Sequence, residues 1–238
     1  MVGAKTVSDS ALQKIAQDTL AGNHFFIYPK RHAWWYEPTK ITSAIQAIYP
    51  QLAEVQITPL NQTALKLSVE ERQGEYLFCL SEGVCYFMDE AGFVFAPAPV
   101  YSDHLFFEFN DGVKTGASPI GLTPFNLTDF KLLTTLHERL ATMLRSVEAF
   151  HTARVYRVEK MTEHDYQFLI DWPTSPTRTS FVLRFKLAQN PAEVVSSLRS
   201  ALESSAFTND WQTAEGALQY LDLRFLPKVF YKFAPDSL

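Results

Sequence analysis

At 238 residues the chain can bury one large core or two small ones, and its ordinary apolar content with moderate charge suits a folded protein rather than a disordered one. A net charge of −5 argues against a nucleic-acid surface, which needs a basic stripe. No run of about 18 apolar residues is available to span a bilayer, and the opening MVGAKTVSDS lacks the apolar stretch of a signal peptide, so a cytosolic protein or a soluble piece of a longer one is expected.

The spacing of Leu12, Ile15, Ala16 and Leu20 predicts a helix over Ser10–Leu20, with Ser10 and Gln13 at capping-box separation and Gly22 as its end. His24–Tyr28 reads as a short strand stopped by Pro29. A second helix is expected over Thr39–Tyr49, with Ile41, Ile45 and Ile48 on one stripe and Pro50 as the stop. Val55–Ile57 and the alternating run Ala64–Glu70 follow as strands. Together these predict a three-stranded sheet covered on one face by two helices. Beyond Arg72 the chain is strand-rich, and Gln73-Gly74 is a plausible joint, which predicts a domain of residues 1–72 and another of residues 73–238.

In the second part, Glu75–Leu80, Val84–Met88 and Phe93–Ala96 form a meander, and Leu105–Phe109 is a further strand. A long helix runs over Asn126–Phe150 on the stripe Leu127, Phe130, Leu133, Leu136, Leu140, Leu144 and Val147. Strands near Ala153–Lys160, Tyr166–Asp171 and Thr179–Leu187 precede a helix opened by Asn190-Pro191. Two strands, Ala217–Phe225 and Lys228–Phe233, close the chain, with Pro227 marking a bulge between them. The fold class is therefore α+β.

The two cysteines flank a three-residue loop, Ser81-Glu82-Gly83, with Gly83 in the left-handed position. That hairpin would set Cys79 opposite Cys85; a disulfide and two free thiols both remain open, and a disulfide would imply an extracytoplasmic compartment. Next along, Asp89-Glu90-Ala91-Gly92 lies between two aromatic runs. Adjacent carboxylates in a strand face opposite ways, and Asp first with Gly last suits a type I turn, so a hairpin is expected rather than an acid–base pair. Replacing either acid is then expected to alter stability only slightly.

The histidines, His24, His32, His104, His137, His151 and His164, form no metal-ligand spacing. Asp103-His104 has no nucleophile motif beside it, Gly116–Gly121 is not a nucleophile elbow, and no phosphate-binding glycine loop occurs, so no catalytic residue, metal or cofactor is expected. Trp34-Trp35-Tyr36 reads as a loop whose rings pack under the second helix, with an exposed patch as the alternative.

Three segments carry a resemblance to a known family. They are LAGNHFFIYP with IQAIYPQLAEVQITPLNQTALKLSVEER, which ends in Glu71-Arg72; CYFMDEAGFVFAPAP, an Asp-x-x-Gly hairpin; and LQYLDLRFLPKVFYK, with Asp222, Leu223 and Arg224. In order and spacing they resemble the bacterial cell-division proteins FtsQ and DivIB. That resemblance implies a POTRA domain (two helices on a three-stranded sheet) followed by a mostly antiparallel β domain with flanking helices. FtsQ proteins carry a cytoplasmic tail and one transmembrane helix before the POTRA domain. This sequence has neither, so it is expected to be the extracytoplasmic portion of a longer, single-pass protein.

The resemblance further implies a non-enzymatic scaffold that holds FtsB-like and FtsL-like division proteins at the septum. Its partner-binding residues would be Arg224, Phe225, Val229, Phe230, Tyr231 and Lys232, on a terminal strand that leaves an edge for an incoming strand. Arg224 would offer a forked donor to an acidic partner, and the aromatic rings would be anchors. The plainer reading of Lys228–Phe233 is an internal strand. Other functional readings are a POTRA-containing assembly or secretion module and, with no site at recognisable spacing, a cell-wall hydrolase.

Overall fold

The computed structural model describes residues 7–19, 23–24, 28–29 (both pairs as backbone), 37–61, 64–80, 83–101, 104–112, 118–173, 180–214 and 217–234. The protein is α+β, with five α-helices and a nine-stranded mixed sheet among these residues. The predicted Trp34-Trp35-Tyr36 loop lies outside the described residues.

The first part opens with helix α1 (Asp9–Thr19). Ser8 rather than Ser10 sits ahead of the first turn, where its hydroxyl accepts from the Ala11 N–H at 3.4 Å. Two short strands, β1 (Asn23–His24) and β2 (Tyr28–Pro29), pair antiparallel where a single strand was expected. Helix α2 (Pro38–Ile48) starts on a proline whose missing N–H lies where a helix needs no donor. Strands β3 (Leu52–Pro59) and β4 (Leu65–Glu71) form an antiparallel ribbon with Val55 opposite Val69 and Ile57 opposite Leu67. The expected three-stranded sheet is thus replaced, among the described residues, by two separate two-stranded ribbons. Leu12 of α1, Ile41 and Ile45 of α2, and Leu52, Val55, Leu67 and Val69 of the ribbon form a hydrophobic cluster of their own.

The large sheet draws on β5 (Tyr76–Cys79), β6 (Cys85–Met88), β7 (Val94–Pro97), β8 (Phe107–Asn110), β9 (Arg154–Lys160), β10 (Asp165–Asp171), β11 (Ser180–Lys186), β12 (Leu218–Phe225) and β13 (Lys228–Phe233). Their spatial order is β13-β12-β11-β10-β9-β8-β5-β6-β7. Five of the eight neighbouring pairs are antiparallel; β11–β12, β8–β9 and β5–β8 are parallel.

One face of this sheet is covered by helices. The long helix α3 (Leu127–Ser146) starts at Asn126, whose side chain accepts from the Asp129 N–H at 2.9 Å. It ends four residues earlier than the apolar stripe suggests, because Val147 is extended, and a separate 3-10 turn then covers Glu148–Phe150. Helix α4 (Pro191–Leu202) is capped by Asn190, as its sequence demands. A further helix, α5 (Ser205–Thr213), was not foreseen; Ser204 caps it by accepting from the Phe207 N–H. Phe130, Leu133 and Leu140 of α3, Leu198 of α4 and Phe207 of α5 pack with Phe109, Val158, Phe168, Leu183 and Leu221 of the strands. The opposite face carries charge. Arg157 pairs with Glu108 at 2.6 Å and Arg224 with Asp222 at 2.6 Å.

Candidate functional site

The two hairpins singled out in the sequence come first, because their chemistry decides what kind of site to look for. In the β5–β6 hairpin Cys79 stands opposite Cys85, Leu80 N–H donates to the Val84 carbonyl at 2.9 Å, and Gly83 has φ +80°. The cysteines are joined by a disulfide. In the β6–β7 hairpin Gly92 has φ +79°, and one Asp89 oxygen accepts from the Ala91 and Phe93 N–H groups at 3.0 and 2.9 Å. The other Asp89 oxygen accepts from Arg72. Asp89 is buried while Glu90 is exposed, so the two carboxylates do not converge on a common substrate position. Asp89 therefore holds more structure together than a bare turn residue would, which corrects the expectation that both acids are nearly dispensable.

Two of the described histidines are likewise occupied by structure. His137 is half-buried against Phe107, with ring centroids 3.8 Å apart, and its Nε2–H donates to the Val155 carbonyl at 3.2 Å. Burial, which disfavours the charged ring, lowers its pKa to about 4. His104 stacks on Tyr156 and contacts Glu108 at 3.3 Å. Among the described residues no group of three or more His, Cys, Asp or Glu side chains is gathered so as to hold a metal ion. None of their helices is long and apolar enough to cross a membrane.

What distinguishes the molecule is the contrast between the two edges of its large sheet. At the β7 edge, Val94 N–H donates to the Leu122 carbonyl at 2.9 Å, and its carbonyl accepts from Gly121 N–H at 2.8 Å. Pro97 ends that strand and Pro99 follows, so an incoming strand would find few donors there. At the other edge β13 pairs with β12, and among the described residues no backbone bond reaches its far side. Among the described residues Lys228–Phe233 is thus an edge strand and not an internal one.

Along β13 burial alternates strictly. Val229, Tyr231 and Phe233 pack on the helix-covered core. Tyr231 meets Phe207 edge-to-face at 5.0 Å, and its hydroxyl donates to Asp210 at 2.6 Å, which raises the phenol pKa. Lys228, Phe230 and Lys232 form the outward row. Phe230 is 50% exposed and Phe225 55%, and the two rings meet edge-to-face at 6.1 Å. Lys186 of β11 places its ammonium 5.5 Å from the Phe225 ring centre. Of the six candidate residues, then, Phe225, Phe230 and Lys232 are presented outward, while Val229 and Tyr231 anchor the strand.

Arg224 takes a different part from the one expected. Its Nε donates to Asp222 at 2.9 Å, its Nη2 to Asp222 at 2.6 Å and its Nη1 to Asp165 of β10 at 3.0 Å. The fork is spent inside the sheet rather than held ready for an acidic partner. Burial alone would raise the Asp222 carboxyl pKa, but the side-chain and backbone hydrogen bonds from Arg224, with the charges of Arg224 and Arg184, hold it below the usual carboxylate range. The hydrogen bond from Arg224 to Asp222 likewise raises the guanidinium pKa. Pro227 is also placed differently: the Leu226-Pro227 bond is cis and forms the turn between Phe225 and Lys228, while the register is irregular at two places in β12, between Leu218 and Tyr220 and between Asp222 and Phe225.

Sequence reasoning missed Lys186 and Asp165. The i, i+2 spacing of Asp222 and Arg224 does put both on one sheet face, which was a usable signal for their pairing; nothing local points to Asp165. Compared with models of known protein families and with curated proteins, the chain matches none.

Proposed function

We propose that the protein is a non-enzymatic scaffold that captures a strand of a partner protein along β13, in the manner of the FtsQ-like division proteins its sequence resembles. In that reading residues 1–72 are a POTRA domain and residues 73–238 a β domain. The chain works outside the cytoplasm as part of a membrane-anchored protein, and its partners are FtsB-like and FtsL-like division proteins. The observation that carries the proposal is the β13 edge, with no backbone bond on its far side among the described residues and with an exposed Phe225–Phe230 pair and flanking lysines, in a sheet whose opposite edge is bonded at Val94. An added strand gains several backbone hydrogen bonds of about 1 kcal/mol each, and aromatic anchors supply specificity.

Two further features support it. Residues 7–69 have a hydrophobic cluster separate from that of the large sheet, which suits a two-domain chain. The Cys79–Cys85 disulfide suits an oxidising compartment.

The test is a calorimetric titration with an FtsB-like peptide. Removing Leu226 to Leu238 is expected to abolish binding while the first 72 residues stay folded. Phe230→Ala, which leaves the core side of β13 intact, should weaken binding by ~10-fold or more. Undiminished affinity in both variants would take the binding site away from this edge.

A further inference from the structure

A second feature lies at the middle of the large sheet in strand order, four strands from β13, between the C-terminal half of α3 and the start of β9. A cleft of about 640 Å³ opens there, within the range of small-molecule sites. Its polar lining includes Arg145 from the last turn of α3 and Arg154 from the first position of β9. Its apolar lining includes Leu105, which is 70% exposed, Phe106 and the Tyr156 ring. No carboxylate is among the described lining residues.

Both guanidinium groups are exposed and nearly unengaged. Arg145 makes one contact of 3.4 Å to the Thr142 hydroxyl, and Arg154 makes no side-chain hydrogen bond or ion pair with a described residue. Two nearby acids form no ion pair with them among the described residues. Glu108 is held by Arg157 and His104. Asp171 stands opposite Arg154 in the register of β9 and β10 without forming an ion pair with it. In a chain of net charge −5, two arginines without an ion pair to a described residue, facing one apolar-walled cleft, are a local reversal of sign.

From this geometry we infer that the cleft binds a phosphoryl group carried on an apolar molecule. Two planar forks offer more donors than one carboxylate can accept, and they match a group with several equivalent oxygens. Leu105 and the half-buried Phe106 would cover the apolar part of such a ligand, giving the exposed Leu105 side chain something to bury. The inference stands independently of strand capture at β13.

The experiment uses the full chain and three probes: inorganic phosphate, dihexanoylphosphatidic acid below its micelle concentration, and phosphatidylcholine vesicles with and without phosphatidic acid. The His151 ring lines the cleft and His164 does not, so their side-chain resonances report binding and its absence in one spectrum. The short-chain lipid phosphate is expected to shift His151 saturably in the millimolar range or below, to leave His164 unmoved, and to bind ~10-fold or more tightly than inorganic phosphate. The double variant Arg145→Ala with Arg154→Ala should lose ~10-fold or more in affinity at an unchanged melting temperature, and Lys131→Ala, an exposed cation elsewhere on α3, should lose nothing. Sedimentation with the acidic vesicles that the double variant abolishes identifies a membrane headgroup as the source. Binding of the soluble probe without sedimentation identifies a free phosphate ester. Absence of saturable shifts with either soluble probe, equal affinity for both, or an equal loss in Lys131→Ala would overturn the inference.

Discussion

Arg72 and Asp89 form the ion pair that ties the end of β4 to the β6–β7 hairpin of the large sheet. The same guanidinium donates through Nε to the Pro50 carbonyl at 3.0 Å and lies 4.3 Å from the centre of the Phe93 ring. One side chain thus meets backbone from the first hydrophobic unit and both a carboxylate and a ring from the second. Asp89→Ala removes that partner and two turn hydrogen bonds together, and should destabilise the protein by about 2–4 kcal/mol. Glu90→Ala, at an exposed position, should change stability by no more than about 0.5 kcal/mol. Urea unfolding of the two variants checks the contrast; equal effects would mean that the Arg72 contact and the turn hydrogen bonds together contribute nothing.

Gly74 lies where a side chain cannot. A methyl group added there would meet Phe87 Cδ1 at 2.4 Å, and that ring is itself stacked on Phe95 and packed edge-on against Phe106. Gly74→Ala should therefore cost about 1–3 kcal/mol through displacement of the ring cluster. The check is thermal unfolding of the variant, followed by aromatic resonances of Phe87 and its neighbours.

His137 makes stability depend on pH. Its ring has a pKa of about 4 in the folded protein against 6.5 for the unperturbed group, so the unfolded chain binds the proton more readily. Its contribution is fully present above about pH 6.5 and is lost as pH falls from there towards about pH 4. Between about pH 7.5 and about pH 5 this one group should remove about 2 kcal/mol. His137→Gln should flatten that part of the stability–pH curve; an unchanged slope would assign the dependence to other groups.

Arg224 and Phe230 should separate stability from binding. Arg224→Ala leaves Asp222 buried without its counter-charge and is expected to cost about 2–4 kcal/mol, and Arg224→Lys should not restore a contact that needs a planar fork. Because the Asp222 pKa is depressed in the folded state, its contribution holds above the ordinary carboxylate range and is lost as pH falls through the lower folded value. Phe230→Ala should leave the unfolding midpoint nearly unchanged while weakening capture of a partner strand. Unfolding curves and calorimetry on the same two proteins decide the assignment.

Reducing the Cys79–Cys85 bond should lower stability by about 2 kcal/mol, the small effect expected of a short closed loop. Unfolding midpoints with and without reductant measure it, and a Cys79→Ser, Cys85→Ser double variant should be insensitive to reductant.

Features set by neighbouring residues were legible in the sequence. The Cys79/Cys85 register follows from alternation plus one glycine, the cap of α4 from Asn190-Pro191, and the alternation of β13 from its side chains. Features set by distant partners were not. Helix α5 escaped because nine residues with one fully buried ring, Phe207, give little periodicity. The fate of Arg224 depends on Asp165, 59 residues away, and its fork looked free for that reason. The third strand expected beside β3 and β4 was inferred from the run His24–Tyr28, whose ends pair with each other instead.

The position of β8 has a consequence for how the chain reaches its fold. The β5–β6–β7 and β9–β10–β11 meanders are each built from neighbouring strands and can form early from short-range contacts. β8 is bonded in parallel to both, to β5 on one side and β9 on the other, and its ion pair Glu108–Arg157 bridges 49 residues of chain. Closing that loop carries the larger entropic barrier, so the two meanders wait on one four-residue strand before they become a single sheet. Changes in β8 should therefore slow refolding, whereas changes in the outer hairpins should mainly speed unfolding.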